Sequence, residues 1–123
     1  MSNNSKLKIP DKLNLFVYGT LKRGEALNSW LKEAKFIKTA KINGFTLYSL
    51  GAYPTAVKRE NCFIEGEIYE IEEKALKGVY WMEVGAGFTF LELDKKEKLF
   101  MFYHTTEDFR KLNSYNTIIG SKW

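Results

Sequence analysis

Two stretches of this chain carry residue types suited to chemistry. The first is Leu15-Phe16-Val17-Tyr18-Gly19-Thr20-Leu21-Lys22-Arg23-Gly24. Leu15, Phe16 and Val17 form an apolar, β-favouring run. Gly19 then allows a backbone geometry that a residue with a Cβ resists. The plainest reading is a turn after a strand. The same arrangement, followed by a helix, also leaves several backbone N–H groups converging on one space, and such a loop suits a small carboxylate. The second is Glu83. Leu76, Val79, Tyr80 and Glu83 fall at helical spacing on a predicted helix over residues 72–84, so an acid ends the apolar stripe. Burial and the negative end of the helix dipole would both raise its pKa. No Lys or Arg follows closely to neutralise it, and Gly85 and Gly87 stop the helix. Buried, Glu83 is a general acid/base for use near neutral pH. Rotated slightly, it is a solvated residue at a frayed helix end.

The elements that must position these two pieces can be read in outline. Residues 25–35 place Leu27, Trp30, Leu31 and Ala34 on one side, which predicts a short amphipathic helix. Residues 36–42 alternate as a strand, Asn43-Gly44 signals a hairpin turn, and residues 45–50 are the return strand. Gly51-Ala52-Tyr53-Pro54 is a loop. A short strand over 55–57 and a polar turn over 58–61 precede the longest strand, 62–71, in which Gly66 suggests a bend or bulge. Glu65 and Glu67 share one face of that strand, a face expected to meet water. Residues 88–93 and 99–104 make a hairpin, and a weakly periodic tail closes the chain. The pattern predicts an α+β domain: a small, mainly antiparallel β-barrel with two flanking helices. Residues 1–12 read as a polar, flexible arm and residues 13–123 as one domain.

Composition narrows the function. The 123 residues are 45% hydrophobic, enough for a core, with no long apolar run and no signal-like segment, so the expected setting is the cytoplasm. One cysteine, Cys62, excludes an internal disulfide. With a single histidine, His104, it also argues against a zinc site. The net charge of +4 is diffuse, with Lys95, Lys96 and Lys98 interleaved with Asp94 and Glu97. No phosphate-binding loop and no nucleophile elbow occurs. The 15% aromatic content leaves a single-stranded nucleic-acid barrel as an outlying alternative, though nucleic acid is not the expected partner.

Four blocks in order resemble the gamma-glutamylcyclotransferase-like family, in its gamma-glutamylamine cyclotransferase or AIG-type branch. They are Val17-Tyr18-Gly19-Thr20-Leu21, Gly51-Ala52-Tyr53-Pro54, Glu65-Gly66-Glu67-Ile68-Tyr69, and an acid at the family's helical spacing, Glu83. The resemblance implies a small barrel whose cavity holds a γ-glutamyl substrate. It implies release of 5-oxoproline and a free amine without metal or organic cofactor. Glu83 is then the catalytic residue and Tyr18, Gly19, Thr20, Leu21, Tyr53 and Tyr115 the substrate-binding residues. Lys22-Arg23 resembles a basic pair of the gamma-glutamylamine branch, pointing to small γ-glutamyl amines. Two departures stand out. The family's Leu-Asp pair is Val79-Tyr80 here, and its aromatic-x-Arg is Phe88-Thr89-Phe90. The missing arginine keeps open a binding module of the same fold without turnover.

Overall fold

The computed structural model of the chain describes residues 9–112 and 117–123, and its sheet is organised around Lys12–Val17 (β1). The chain continues through a 3-10 turn, Asn28–Leu31, into Lys35–Ser49 (β2) and Pro54–Glu72 (β3). Then follow Glu73–Gly85 (α1), Thr89–Asp94 (β4), Leu99–Tyr103 (β5), Thr106–Arg110 (α2) and Thr117–Gly120 (β6). The six strands form one sheet ordered β4-β5-β1-β3-β2-β6. Every neighbouring pair is antiparallel except β1 with β5. The result is a mixed sheet curled into a half-barrel, with α1 packed on one face.

The apolar run of β1 is continuous because both faces are covered. Leu13, Leu15 and Val17 pack with Leu76 and Val79 of α1 and with Phe88, Phe90 and Phe102. Phe16 points the other way, into a second core with Leu47, Ile64 and Met101 inside the curl. Gly66 lies where β3 crosses this centre. A Cβ there would collide with the Val17 carbonyl oxygen and the Phe16 ring, so β1 and β3 approach closely only because the residue is glycine.

Three expectations need correction. Residues 25–35 do not form a helix; only the short turn Asn28–Leu31 is present, with no side-chain cap. The Asn28 side chain donates instead to the Leu21 carbonyl at 2.8 Å and the Tyr69 hydroxyl at 3.2 Å. Such side-chain bonds compete with helical structure. Asn43-Gly44 is not a hairpin turn but a bulge inside β2, with Gly44 at φ +89°. The polar turn at 58–61 is likewise absorbed into β3. The register runs from Asn43 opposite Phe63 straight to Phe45 opposite Lys58, so the extra residues bulge out, with Asn61 at φ +64°. The true hairpin is at Gly51–Tyr53, closed by Leu50 N–H donating to the Tyr53 carbonyl at 2.8 Å. The predicted helix over 72–84 and the hairpin of β4 and β5 match the observed elements closely. Most of the expected N-terminal arm lies outside the described residues, while Ile9 already packs against the core.

Candidate active site

The loop after β1 is held from behind. The Lys22 N–H donates to the Gly19 carbonyl at 3.0 Å, the Leu27 N–H to the Thr20 carbonyl at 2.8 Å, and the Asn28 amide to the Leu21 carbonyl. Three successive carbonyls are therefore engaged. Among the described residues, no hydrogen bond uses the N–H of Gly19, Thr20 or Leu21. Buried N–H groups are nearly always paired in folded proteins. Gly19 and Leu21 are buried, so this loop has donor capacity to offer a ligand.

Two further anchors fix the loop. Tyr18 is buried, and its hydroxyl donates to the Phe102 carbonyl at 2.6 Å while accepting from the Ala56 N–H at 3.2 Å. Burial pushes its pKa up, so the phenol stays protonated. Glu67, expected to face water, is instead buried. Its carboxylate accepts the Arg23 N–H at 3.0 Å, the Arg23 Nε at 3.4 Å and the Tyr69 hydroxyl at 3.3 Å. The Arg23 guanidinium also stacks over Phe36, 3.8 Å from the ring centre. Sequence periodicity missed this role. The only signal for it was the block Glu65-Gly66-Glu67-Ile68-Tyr69, which marks the strand without showing which acid turns inward.

Glu83 sits in the last turn of α1, which carries no basic residue. Desolvation raises its carboxyl from the usual 4.5 to about 7. Its side chain shares one cavity, about 190 Å³, with Tyr18, Gly19, Thr20, Leu21 and Tyr53. Leu27, Pro54, Met82 and Phe88 complete much of the wall. The structure therefore brings together six of the seven residues singled out from the sequence. The seventh, Tyr115, lies outside the described residues. Lys22 and Arg23 do not line this cavity. Lys22 is buried and its ammonium donates to the Trp123 main-chain oxygen at 3.0 Å, while Arg23 is engaged by Glu67. The basic pair thus braces the loop from outside the cavity. Tyr80 and Phe90, the two departures from the family pattern, also lie off the cavity. They pack edge-to-face on each other at 5.6 Å.

Chemically, the cavity offers unengaged main-chain donors for an anion or a developing oxyanion. It also offers one carboxyl that is near half-protonated at neutral pH. Among the described residues no group of His, Cys, Asp and Glu is placed to hold a metal ion, and no helix is long and apolar enough to cross a membrane.

Residues 15–116 match the family described as gamma-glutamyl cyclotransferase, AIG2-like. The chain belongs to that family. Its relatives include PH0828 of Pyrococcus horikoshii, 33% identical over 84 residues that cover 68% of this chain and 71% of that protein. The gamma-L-glutamyl-butirosin B gamma-glutamyl cyclotransferase of Niallia circulans is 39% identical over 87 residues, covering 68% of this chain and 55% of the relative. The family protein YtfP of Escherichia coli is 36% identical over 64 residues, 52% of this chain and 56% of its own length. The chain thus matches little more than half the length of the last two. Solved structures agree on the fold. The crystal structure of PH0828 superposes with a TM-score of 0.72 at 28% identity, covering 88% of this chain and 86% of that one. The solution structure of YtfP gives 0.67 at 26% identity, covering 90% and 96%.

Proposed function

We propose that this member of the family is a cofactor-independent cyclotransferase that converts a small γ-glutamyl compound into 5-oxoproline and a free amine. The observation that carries the reading is the shared cavity of Glu83 and the Gly19–Leu21 loop. The substrate's α-amine attacks its own γ-carbonyl carbon. A carbon–nitrogen bond forms within a five-membered ring, and the bond from that carbon to the leaving nitrogen breaks. Glu83, as carboxylate, takes the proton lost by the attacking nitrogen and then delivers it to the leaving nitrogen, so the enzyme returns to its starting state. A carboxyl near 7 is suited to both transfers. Ring closure is intramolecular, so the protein's main task is to hold the chain folded back, which carries a large proximity advantage. The unengaged N–H groups of Gly19, Thr20 and Leu21 hold the α-carboxylate or the oxyanion. The rings of Tyr18 and Tyr53 form walls of the same space.

The test is a mass-spectrometric screen for 5-oxoproline across γ-glutamyl amino acids, γ-glutamyl amines, ε-(γ-glutamyl)-lysine and γ-glutamyl aminoglycosides. Release from at least one, dependent on Glu83, is expected. Calorimetric binding of these compounds with no product on long incubation would identify a binding module instead.

A further inference from the structure

Thr55 and His104 form a buried pair that the proposed reaction leaves unused. Thr55 Oγ1 lies 2.6 Å from His104 Nδ1, with the two residues 0% and 2% exposed. Burial lowers the His104 pKa, opposed by the nearby Asp108 carboxylate, so the ring is neutral at physiological pH. The neutral imidazole shares one hydrogen bond with the threonine hydroxyl through Nδ1, as donor or acceptor according to its tautomer.

The pair lies between the two halves of the site. On one side is the start of β3. Pro54 is pressed against Gly19, so that an added Cβ would fall 2.7 Å from Pro54 Cγ. The Ala56 N–H donates to the Tyr18 hydroxyl, and the Ala56 carbonyl accepts the His104 N–H at 3.1 Å. On the other side is the turn that leaves α1. The Phe88 ring centre is 4.6 Å from that of His104, and a Cβ on Gly87 would lie 3.3 Å from Nε2. The Phe88 N–H in turn donates to the Glu83 carbonyl at 3.0 Å. Contacts and short covalent steps thus run without a gap from Gly19 through Pro54, Thr55, His104 and Phe88 to Glu83.

We infer that His104, fixed by Thr55, is a positioning residue: a spacer that sets the distance between the Gly19 loop and the Glu83 end of α1. The inference rests on the cyclotransferase reading of those two elements. A packed aromatic ring resists compression, and the Thr55 bond selects its orientation. Errors of about an ångström in such a placement cost on the order of a hundredfold in rate.

Three variants separate this role from simple core packing. Thr55→Val removes the hydroxyl at nearly constant volume. His104→Leu removes the ring nitrogen that bonds Thr55. His104→Asn places an amide, able to donate or accept, near the position of Nδ1. Kinetics of 5-oxoproline release are measured well below each variant's melting temperature, and Glu83 is titrated by carbon-13 NMR of its carboxyl. The first two variants are expected to lower kcat about tenfold to a hundredfold with KM changed less than about threefold. Their Glu83 midpoint should move from about 7 toward 4.5 as the helix end drifts into water. His104→Asn should recover most of both. Should His104→Leu not fold, the near-isosteric Thr55→Val decides alone. Native kcat and an unmoved Glu83 titration in folded Thr55→Val would overturn the spacer. A native chain that releases no 5-oxoproline, yet whose Glu83 midpoint falls in Thr55→Val, would keep the spacer and remove the cyclotransferase reading.

Discussion

Gly19 and Glu83 line one cavity although one follows β1 and the other ends α1. The topology brings them together. β1 runs antiparallel to β3, with Val17 opposite Glu67 and Lys12 opposite Glu72. α1 leaves the end of β3 beside the start of β1 and runs back over the sheet. Its last turn therefore comes level with the end of β1, where the loop begins. Leu76 and Val79 hold the helix in that path by burying against Leu13, Leu15 and Val17.

Gly19 is required by proximity rather than by an unusual dihedral angle. A Cβ there would approach Pro54 Cγ and Cδ at 2.7 and 2.8 Å, and a proline ring cannot swing aside. Gly19→Ala should cost about 1–3 kcal/mol of stability through overpacking. It should also displace the N–H donors, raising KM for the γ-glutamyl substrate about tenfold. Thermal melts and steady-state kinetics on the same preparation check both.

Glu83 should make the protein less stable at neutral pH than it need be. Its carboxyl titrates at about 7 when folded and near 4.5 when unfolded. The folded state thus holds the proton more tightly, and this group's favourable contribution is complete below 4.5 and lost as pH rises through about 7. Glu83→Gln mimics the protonated form. It should match the native protein's stability below pH 4.5 and exceed it by about 2–3 kcal/mol at pH 8, at 1.36 kcal/mol per pKa unit. Denaturant unfolding at both pH values measures this. Equal stability at pH 8 would mean that Glu83 is solvated.

The two departures from the family pattern form one contact. Tyr80 and Phe90 meet edge-to-face at 5.6 Å. Tyr80 also packs on Phe102, and Phe90 stacks on Phe100 at 4.9 Å. The contact between Tyr80 and Phe90 lies away from the cavity lining. Phe90→Arg alone should destabilise by about 2–4 kcal/mol, since it buries an unpaired charge among rings, and Tyr80→Asp by about 1–3 kcal/mol from its half-buried position. Together they should cost less than the sum by about 1–3 kcal/mol. A double-mutant cycle by chemical denaturation reads the coupling, and strict additivity would contradict it.

What the sequence made legible follows how local each cause is. β1 and α1 could be read because apolar periodicity is a direct imprint of burial, and Glu83 stood out as the acid that broke the pattern. The segment around Trp30 misled because its spacing fits a helix, whereas Asn28 spends its side chain on Leu21 and Tyr69. Trp30 itself remains 46% exposed, resting on Gly78. Asn43-Gly44 has the composition of a hairpin turn, but β3 continues opposite it, and pairing with a distant strand outweighed the local preference. The inward turn of Glu67 and the Thr55–His104 pair depend on contacts between residues far apart in the chain. No pattern within one element could reveal them.

The most direct measurement is 5-oxoproline release by native and Glu83→Gln protein from one γ-glutamyl substrate, with binding followed by calorimetry. The native protein should release 5-oxoproline and amine in equal amounts, with kcat/KM rising as pH passes through about 7. Glu83→Gln should stay folded, still bind the substrate, and lose at least about a thousandfold in rate, within the range set by general acid–base catalysis. Glu83→Gln turning over at the native rate would contradict the account.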